Sequence, residues 1–393
     1  MPQPFENIRI LDLTHVVAGP FSTYQLALMG ADVIKIEHPV EYDQSRDTGS
    51  DRELNAKAMG LHYMAQASNK RGLALDIKTG EGREILRRLV KTADVLVENY
   101  RPGAIDALGL GYEAMAALNP RLIYCSVSAF GQDGPRSTHT AYDHVAQAAA
   151  GFMSMTGMAE TLPVRIGPPV VDYATGMTAA FAIASALFQR ERSGQGQRID
   201  VAMADIALLF TGMYASDYLR TGDEPHAMKF IHATNLGYET NDGLLICGAS
   251  NLRQQKRLWL ALDRPDMVKT SNAERRKDHD NEIKVLAEIL KTRTAEEWET
   301  FFQQRHVPAA RVRSLAEALH DPHFRARGVM HAQEGAQDVP GRFEVPMAAF
   351  RFQHGGPGIK TPPPAVGQHS AEILAALGYS GAEIETLRAR GVI

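Results

Sequence analysis

The chain has 393 residues, 44% of them hydrophobic and 22% charged, with a formal net charge of −4. That length accommodates two domains and a large core, and the balanced charge gives no field for nucleic acid or anionic lipid. No basic stretch followed by an apolar run opens the sequence, and its longest apolar segment, residues 177–188, is shorter than the ~20 residues of a membrane span. We therefore expect a cytoplasmic protein with neither a nucleic acid nor a membrane as partner.

Residues 8–13 read as a strand and 21–29 as the helix after it. Gly19-Pro20 forms the turn between them, where backbone N–H groups at a helix start can face an anion. Residues 33–36, 95–97 and 122–127 repeat the β-branched pattern, with a helix over 80–91. This alternation predicts an α/β fold: a Rossmann-like parallel sheet with helices on both faces. No Gly-x-Gly-x-x-Gly follows the first strand, which removes a dinucleotide site. A Walker loop and a Gly-x-Ser-x-Gly elbow are missing too. Cys125 and Cys247 fall in strand-like runs and read as small buried hydrophobes. His320-Asp-Pro-His323 reads as a loop or helix cap, so no metal site is expected.

The large domain is expected over 1–199, followed by a helical linker over 200–224, its helix spanning 200–220. A smaller α+β domain is then expected over 225–328. Its hairpin turns at Asn241-Asp-Gly243, and its helices cover 281–291 and 294–305, the second opened by a capping box of Thr294 and Glu297. Beyond Gly328 the chain reads as strand-poor and Pro-rich, with a last helix near 370–377.

The stretch Arg165-Ile-Gly-Pro-Pro-Val-Val-Asp-Tyr-Ala-Thr-Gly176 sets one carboxylate, Asp172, among apolar and small residues at the mouth of a helical run over 176–188. Two readings of Asp172 stand on the residues alone. It is an ordinary helix N-cap accepting a backbone N–H, or it is a nucleophile. A helix N-terminus would favour its anionic form and keep it ionised at neutral pH. Lys70, Arg71, Lys78 and Arg101 are the basic candidates for an anionic ligand. Arg101 ends a strand, where α/β folds bind ligands, and suits a phosphate.

Together with Leu11-Asp-Leu-Thr-His-Val-Val-Ala-Gly-Pro20, Gly30-Ala-Asp-Val-Ile-Lys-Ile-Glu37 and Glu98-Asn-Tyr-Arg-Pro-Gly103, the Asp172 stretch resembles the class III CoA-transferase family. That family includes formyl-CoA transferase, carnitine CoA-transferase and α-methylacyl-CoA racemase. Ser68-Asn-Lys-Arg71, Leu118-Asn-Pro-Arg-Leu-Ile123, Gly194-Gln-Gly-Gln-Arg-Ile-Asp200 and Gly367-Gln-His-Ser370 extend the resemblance to nearly the whole chain. It implies that Asp172 is the nucleophile and that coenzyme A and acyl-CoA are substrates, with no permanently bound cofactor. It puts CoA contacts on Val17, Ala18, His38, Leu75 to Lys78, Asn99, Tyr100, Arg101, Tyr142 and Asp143. It also implies that residues 329–393 return to the large domain, built from both chain ends, and that two chains interlock as a homodimer.

The departures from the family pattern bear on substrate. His38 stands where formyl-CoA transferase has an Arg, Val17 where it has a Gln, and His232-Ala-Thr-Asn235 replaces its Gly-rich lid, so formate and oxalate are not expected. Gly248-Ala-Ser-Asn251 is similar to a run in transferases of larger organic acids and points to a dicarboxylate. Racemase relatives carry a His where this chain has Tyr142, and a tyrosine of ordinary pKa, ~10, is a poor base at neutral pH. His144, two residues on, would face elsewhere on a helix. CoA transfer is therefore favoured over racemisation of a 2-substituted acyl-CoA, with non-catalytic acyl-CoA binding as a third reading.

Overall fold

Six short strands pair in parallel: β1 (Arg9–Asp12), β2 (Asp32–Glu37), β3 (Lys70–Ala74), β4 (Val95–Glu98), β5 (Ile123–Ser128) and β6 (Gln197–Ala202). Their order is β3-β2-β1-β4-β5-β6, with Ile10 in register with Val33 on one side and Val95 on the other. Every residue of β4 and β5 is buried, which is why these strands read as continuous apolar runs rather than as alternation. The coordinates are a computed structural model that describes residues 1–157, 161–224 and 232–393. The chain divides into two units, one of Met1–Thr156, Pro163–Leu219 and Arg327–Ile393, the other of Gly157–Leu162 and Arg220–Ala326.

In the first unit, one face of the sheet (Leu11, Ile34, Leu96) is covered by the helix Gly80–Val90 and by the helices Ser370–Ala376 and Gly381–Ala389. Helix α1 (Ala18–Leu28) covers the other face. The chain leaves β5 through α2 (Asp143–Ala149) and α3 (Val170–Ser193), and α3 packs Ala179, Ile183 and Leu187 against that second face. The helix α3, at 24 residues, is longer than its apolar segment suggested, and by length and composition it could cross a membrane. Half of its apolar window is buried within the protein.

Four stretches differ from expectation, the first being Gly19-Pro20, which lies inside α1 and not in a turn before it. Lys70–Ala74 forms a strand that its charged start concealed. Residues 200–202, expected to be helical, complete β6, and helix begins only at Met203. Burial alternates over residues 197–200 of β6, an edge strand, with the period of a strand, before Val201 and Ala202 are both buried. The tail expected to be strand-poor carries an antiparallel pair, Met330–Gln333 with Phe343–Pro346, and Tyr24 of α1 donates its hydroxyl to the Pro346 carbonyl (2.6 Å).

The second unit has its own antiparallel sheet of Gly237–Glu239, Leu244–Cys247 and Ala309–Arg311. The Thr240 N–H closes the hairpin on Gly243 (2.8 Å). The reciprocal Thr294/Glu297 capping box opens the helix Ala295–Gln303, and Trp259, Leu286, Trp298 and Phe302 fill the core. The expected start of this domain, Pro225, lies outside the described residues.

Candidate active site

Because the six strands are parallel, the loops leaving their carboxyl ends gather at one edge, where two cavities open. The larger, about 440 Å³, is lined by His15, Val17 and Ala18 after β1, Asn99 and Arg101 after β4, Ser128 at the end of β5, Tyr142 before α2, and Asp172 of α3. The smaller, about 180 Å³, is lined by His38 after β2, Leu75 and Lys78 after β3, and Tyr100. His15 borders both. Strand order reverses between β1 and β4, the place where open α/β sheets bind ligands. There the Asn99 amide bridges the loops, accepting the His15 N–H and donating to the His15 carbonyl, both at 2.9 Å.

Asp172 does not cap its helix. The N-cap of α3 is Pro169, without a side-chain hydrogen bond, and Asp172 is the third helical residue, 9% exposed. The cap comes from Asp143 at the start of α2. One oxygen of its buried carboxylate accepts the N–H groups of Val171 (2.7 Å) and Asp172 (3.1 Å), and the other accepts Gln147 Nε2 (2.5 Å). Asp143 thereby satisfies helix N–H groups that have no intrahelical partner, and it lies outside both cavity linings.

The electrostatic expectation for Asp172 is also revised. Burial, reinforced by the Asp143 carboxylate, pushes the Asp172 carboxyl up to about 7. No hydrogen bond from the described residues offsets this effect. Glu98, buried at the end of β4, is likewise raised to about 7 by burial, although it accepts the Tyr100 N–H (2.9 Å). Burial, helped by Lys35, pushes His15 down, which leaves a neutral imidazole between the two cavities at neutral pH. His15 belongs to the Leu11-to-Pro20 motif, and its place just after the first strand is the signal that could have singled it out.

The basic candidates separate. Lys70 is buried against Asp12 (3.0 Å), Thr23 and the Pro20 carbonyl, and Arg71 pairs with Asp32 (2.7 Å) and Glu372 (3.0 Å); neither lines either of these two cavities. Lys78 does, while pairing with Glu41 (2.7 Å). The His38 Nδ1 accepts the Val40 and Glu41 N–H groups. Arg101 is exposed on the larger cavity, with no ion pair among the described residues. His144 lines neither cavity and stacks on Tyr142 with ring centroids 6.4 Å apart.

The family model of CoA-transferase family III matches residues 5–370. The chain is 35% identical over 392 residues to the succinate–glutarate CoA-transferase of Agrobacterium fabrum, covering 95% of this chain and 96% of that protein. It is 33% identical over 399 residues to the succinyl-CoA:glutarate CoA-transferase of Homo sapiens, covering 100% and 90%. A crystal structure of a CaiB/BaiF family protein from Brucella suis matches with a TM-score of 0.82 and 32% identity, over 96% of this chain and 100% of that one. Sequence along almost the full length and the fold agree, and on that footing the chain belongs to CoA-transferase family III and is a CoA-transferase.

Proposed function

We propose that this enzyme moves CoA from an acyl-CoA thioester to a free carboxylic acid through covalent intermediates on Asp172. One observation carries the reading: among the described residues, Asp172 is the one carboxylate in the lining of the larger cavity. An Asp172 oxygen attacks the thioester carbonyl, the C–S bond breaks, and a mixed anhydride and CoA thiolate result. The thiolate then attacks the Asp172 carbonyl, releasing the donor acid and leaving an aspartyl-CoA thioester. The acceptor carboxylate attacks that thioester and expels the thiolate. The thiolate finally takes the acceptor acyl group from the second anhydride, regenerating Asp172. Each step exchanges one acyl bond for another, so two covalent intermediates replace a direct exchange between two acids. Both intermediates hydrolyse if water enters, and a recessed carboxylate limits that loss.

In this reading Val17, Ala18, Asn99 and Tyr142 surround the reacting end of CoA, and Arg101 pairs with a CoA phosphate. His38, Leu75, Lys78 and Tyr100 receive a further part of CoA in the smaller cavity. Asp143 serves Asp172 rather than CoA. The acceptor is a dicarboxylate, a reading supported by the names of the two relatives and by the Gly248-Ala-Ser-Asn251 run. The working form is an interlocked homodimer, supported by exposed apolar side chains on α3 (Phe181, Phe188) and on the helices Met203–Phe210 and Gly212–Thr221 (Leu209, Met213).

Mass spectrometry after incubation with succinyl-CoA, trapping with hydroxylamine or borohydride, tests the mechanism. The expected adduct maps to Asp172, and Asp172→Ala abolishes both adduct and transfer to glutarate while CoA affinity stays within about threefold. Turnover that survives in Asp172→Ala removes it as nucleophile. Loss of α-deuterium from a 2-substituted acyl-CoA, with no transfer, would assign the site to racemisation, and CoA binding without either signal would make the protein a binder.

A further inference from the structure

Between β1 and α1 the chain makes a turn held almost entirely by side chains. Thr14 gives its N–H to Asp12 (3.0 Å), and its carbonyl accepts Lys35 Nζ. Asn99 takes both polar groups of the His15 backbone. The Val16 N–H goes to the Asp43 carboxylate (3.0 and 3.2 Å), and Gln66 Nε2 donates to the Val16 carbonyl (2.6 Å). Asp43 is 1% exposed and is itself fixed by the Ser45 N–H (2.9 Å) and by Lys35 (3.4 Å).

Val16 sits at φ +74°. A β-branched residue in the left-handed region is a true outlier, and such strain persists only where the surroundings over-determine it. The residues after it, Val17 and Ala18, begin α1 and line the cavity beside Asp172. The two helix starts are packed backbone to backbone, since a Cβ on Gly176, one turn beyond Asp172, would stand 2.7 Å from the Ala18 carbonyl oxygen. A change of φ at residue 16 would therefore re-aim the wall that faces the nucleophile.

We propose that Asp43, with Gln66, is a positioning residue for CoA transfer. It holds Val16 left-handed, and so keeps Val17 and Ala18 in place against Asp172. The proposal rests on the reading of Asp172 as nucleophile given above.

The test is a rescue. Asp43→Ala should lower kcat/KM for transfer from succinyl-CoA to glutarate at least tenfold. Asp43→Asn, which keeps an acceptor oxygen for the Val16 N–H, should fall between wild type and Asp43→Ala. Glycine adopts positive φ without penalty, so adding Val16→Gly to Asp43→Ala should recover threefold or more of the lost rate. A role confined to the buried charge of Lys35 predicts no such recovery. If Asp43→Ala does not accumulate as folded protein, Gln66→Ala with and without Val16→Gly makes the same comparison from the carbonyl side. Wild-type transfer with no recovery in the double variant overturns the proposal alone. Wild type without transfer sinks the underlying reading instead. In that event crystals of Asp43→Ala, or of Gln66→Ala, still decide the matter: φ at Val16 moving to negative values supports the clamp, and φ staying positive overturns it.

Discussion

Asp172 is poised by two opposing features of its surroundings. Its place in the first turn of α3 favours the anion, while burial and Asp143 favour the neutral acid and bring its pKa to about 7. In the proposed mechanism only the anion attacks the thioester, so kcat/KM should fall as pH drops through about 7. Glu98 is raised to the same region and could produce the same limb. Asp143→Asn separates the two: it removes the neighbouring charge, keeps an oxygen to cap α3, and should move the limb acidward by ~0.5–1 pH unit. A rate profile from pH 5.5 to 8.5 in wild type and variant reads this directly, and an unmoved limb would assign it to Glu98. The recessed place of Asp172 was legible because apolar and small residues flank it. Its capping was not, because the capping carboxylate belongs to another helix, and nothing near Asp143 in the sequence marks it as a partner of residues 171 and 172.

At the scale of elements, the approach of α1 to α3 depends on a glycine. A side chain at Gly176 would also meet Phe21, with Cδ1 at 2.9 Å. Helix propensity alone would make Gly176→Ala stabilising by about 1 kcal/mol. Here the new methyl would press on a backbone oxygen that cannot rotate away, and we expect a net destabilisation of roughly 1–3 kcal/mol, seen as a lower midpoint in urea unfolding. A midpoint at or above wild type would mean that the helices separate easily. The same scale shows where sequence periodicity succeeds. Strands β2 and β4 announce themselves through Val33-Ile-Lys-Ile36 and Val95-Leu-Val97. Strand β3 does not, because Lys70 is 2% exposed by virtue of Asp12 on another strand and of Thr23 and the Pro20 carbonyl on α1, and a single strand's sequence carries no trace of such partners.

For the whole molecule, Phe181, Phe188, Leu209, Met213 and Leu219 are all large apolar side chains left exposed in the single chain, the kind of surface that a partner covers. Sedimentation should find wild type as a dimer. Phe181→Asp with Leu209→Asp should shift it toward monomer and lower activity, and a wild type that sediments as monomer at working concentration would remove the dimer from the proposal. The Asn-Asp-Gly turn and the Thr294/Glu297 box made the hairpin and one helix of the second unit legible, since both are set by neighbours in sequence. Which stretches of chain join into one unit was not legible in this way, because that depends on contacts between distant segments.

The first unit is finished late. Its sheet is complete at Ala202, yet the face formed by Leu11, Ile34 and Leu96 takes Ile373, Leu374, Ile384 and Leu387 as part of its cover. A ribosome that has delivered the sheet must still make residues 220–326 and beyond before that cover emerges. During that interval the nascent chain leaves part of that apolar face uncovered, and a prematurely released product would keep all six strands of the parallel sheet and still lack this cover.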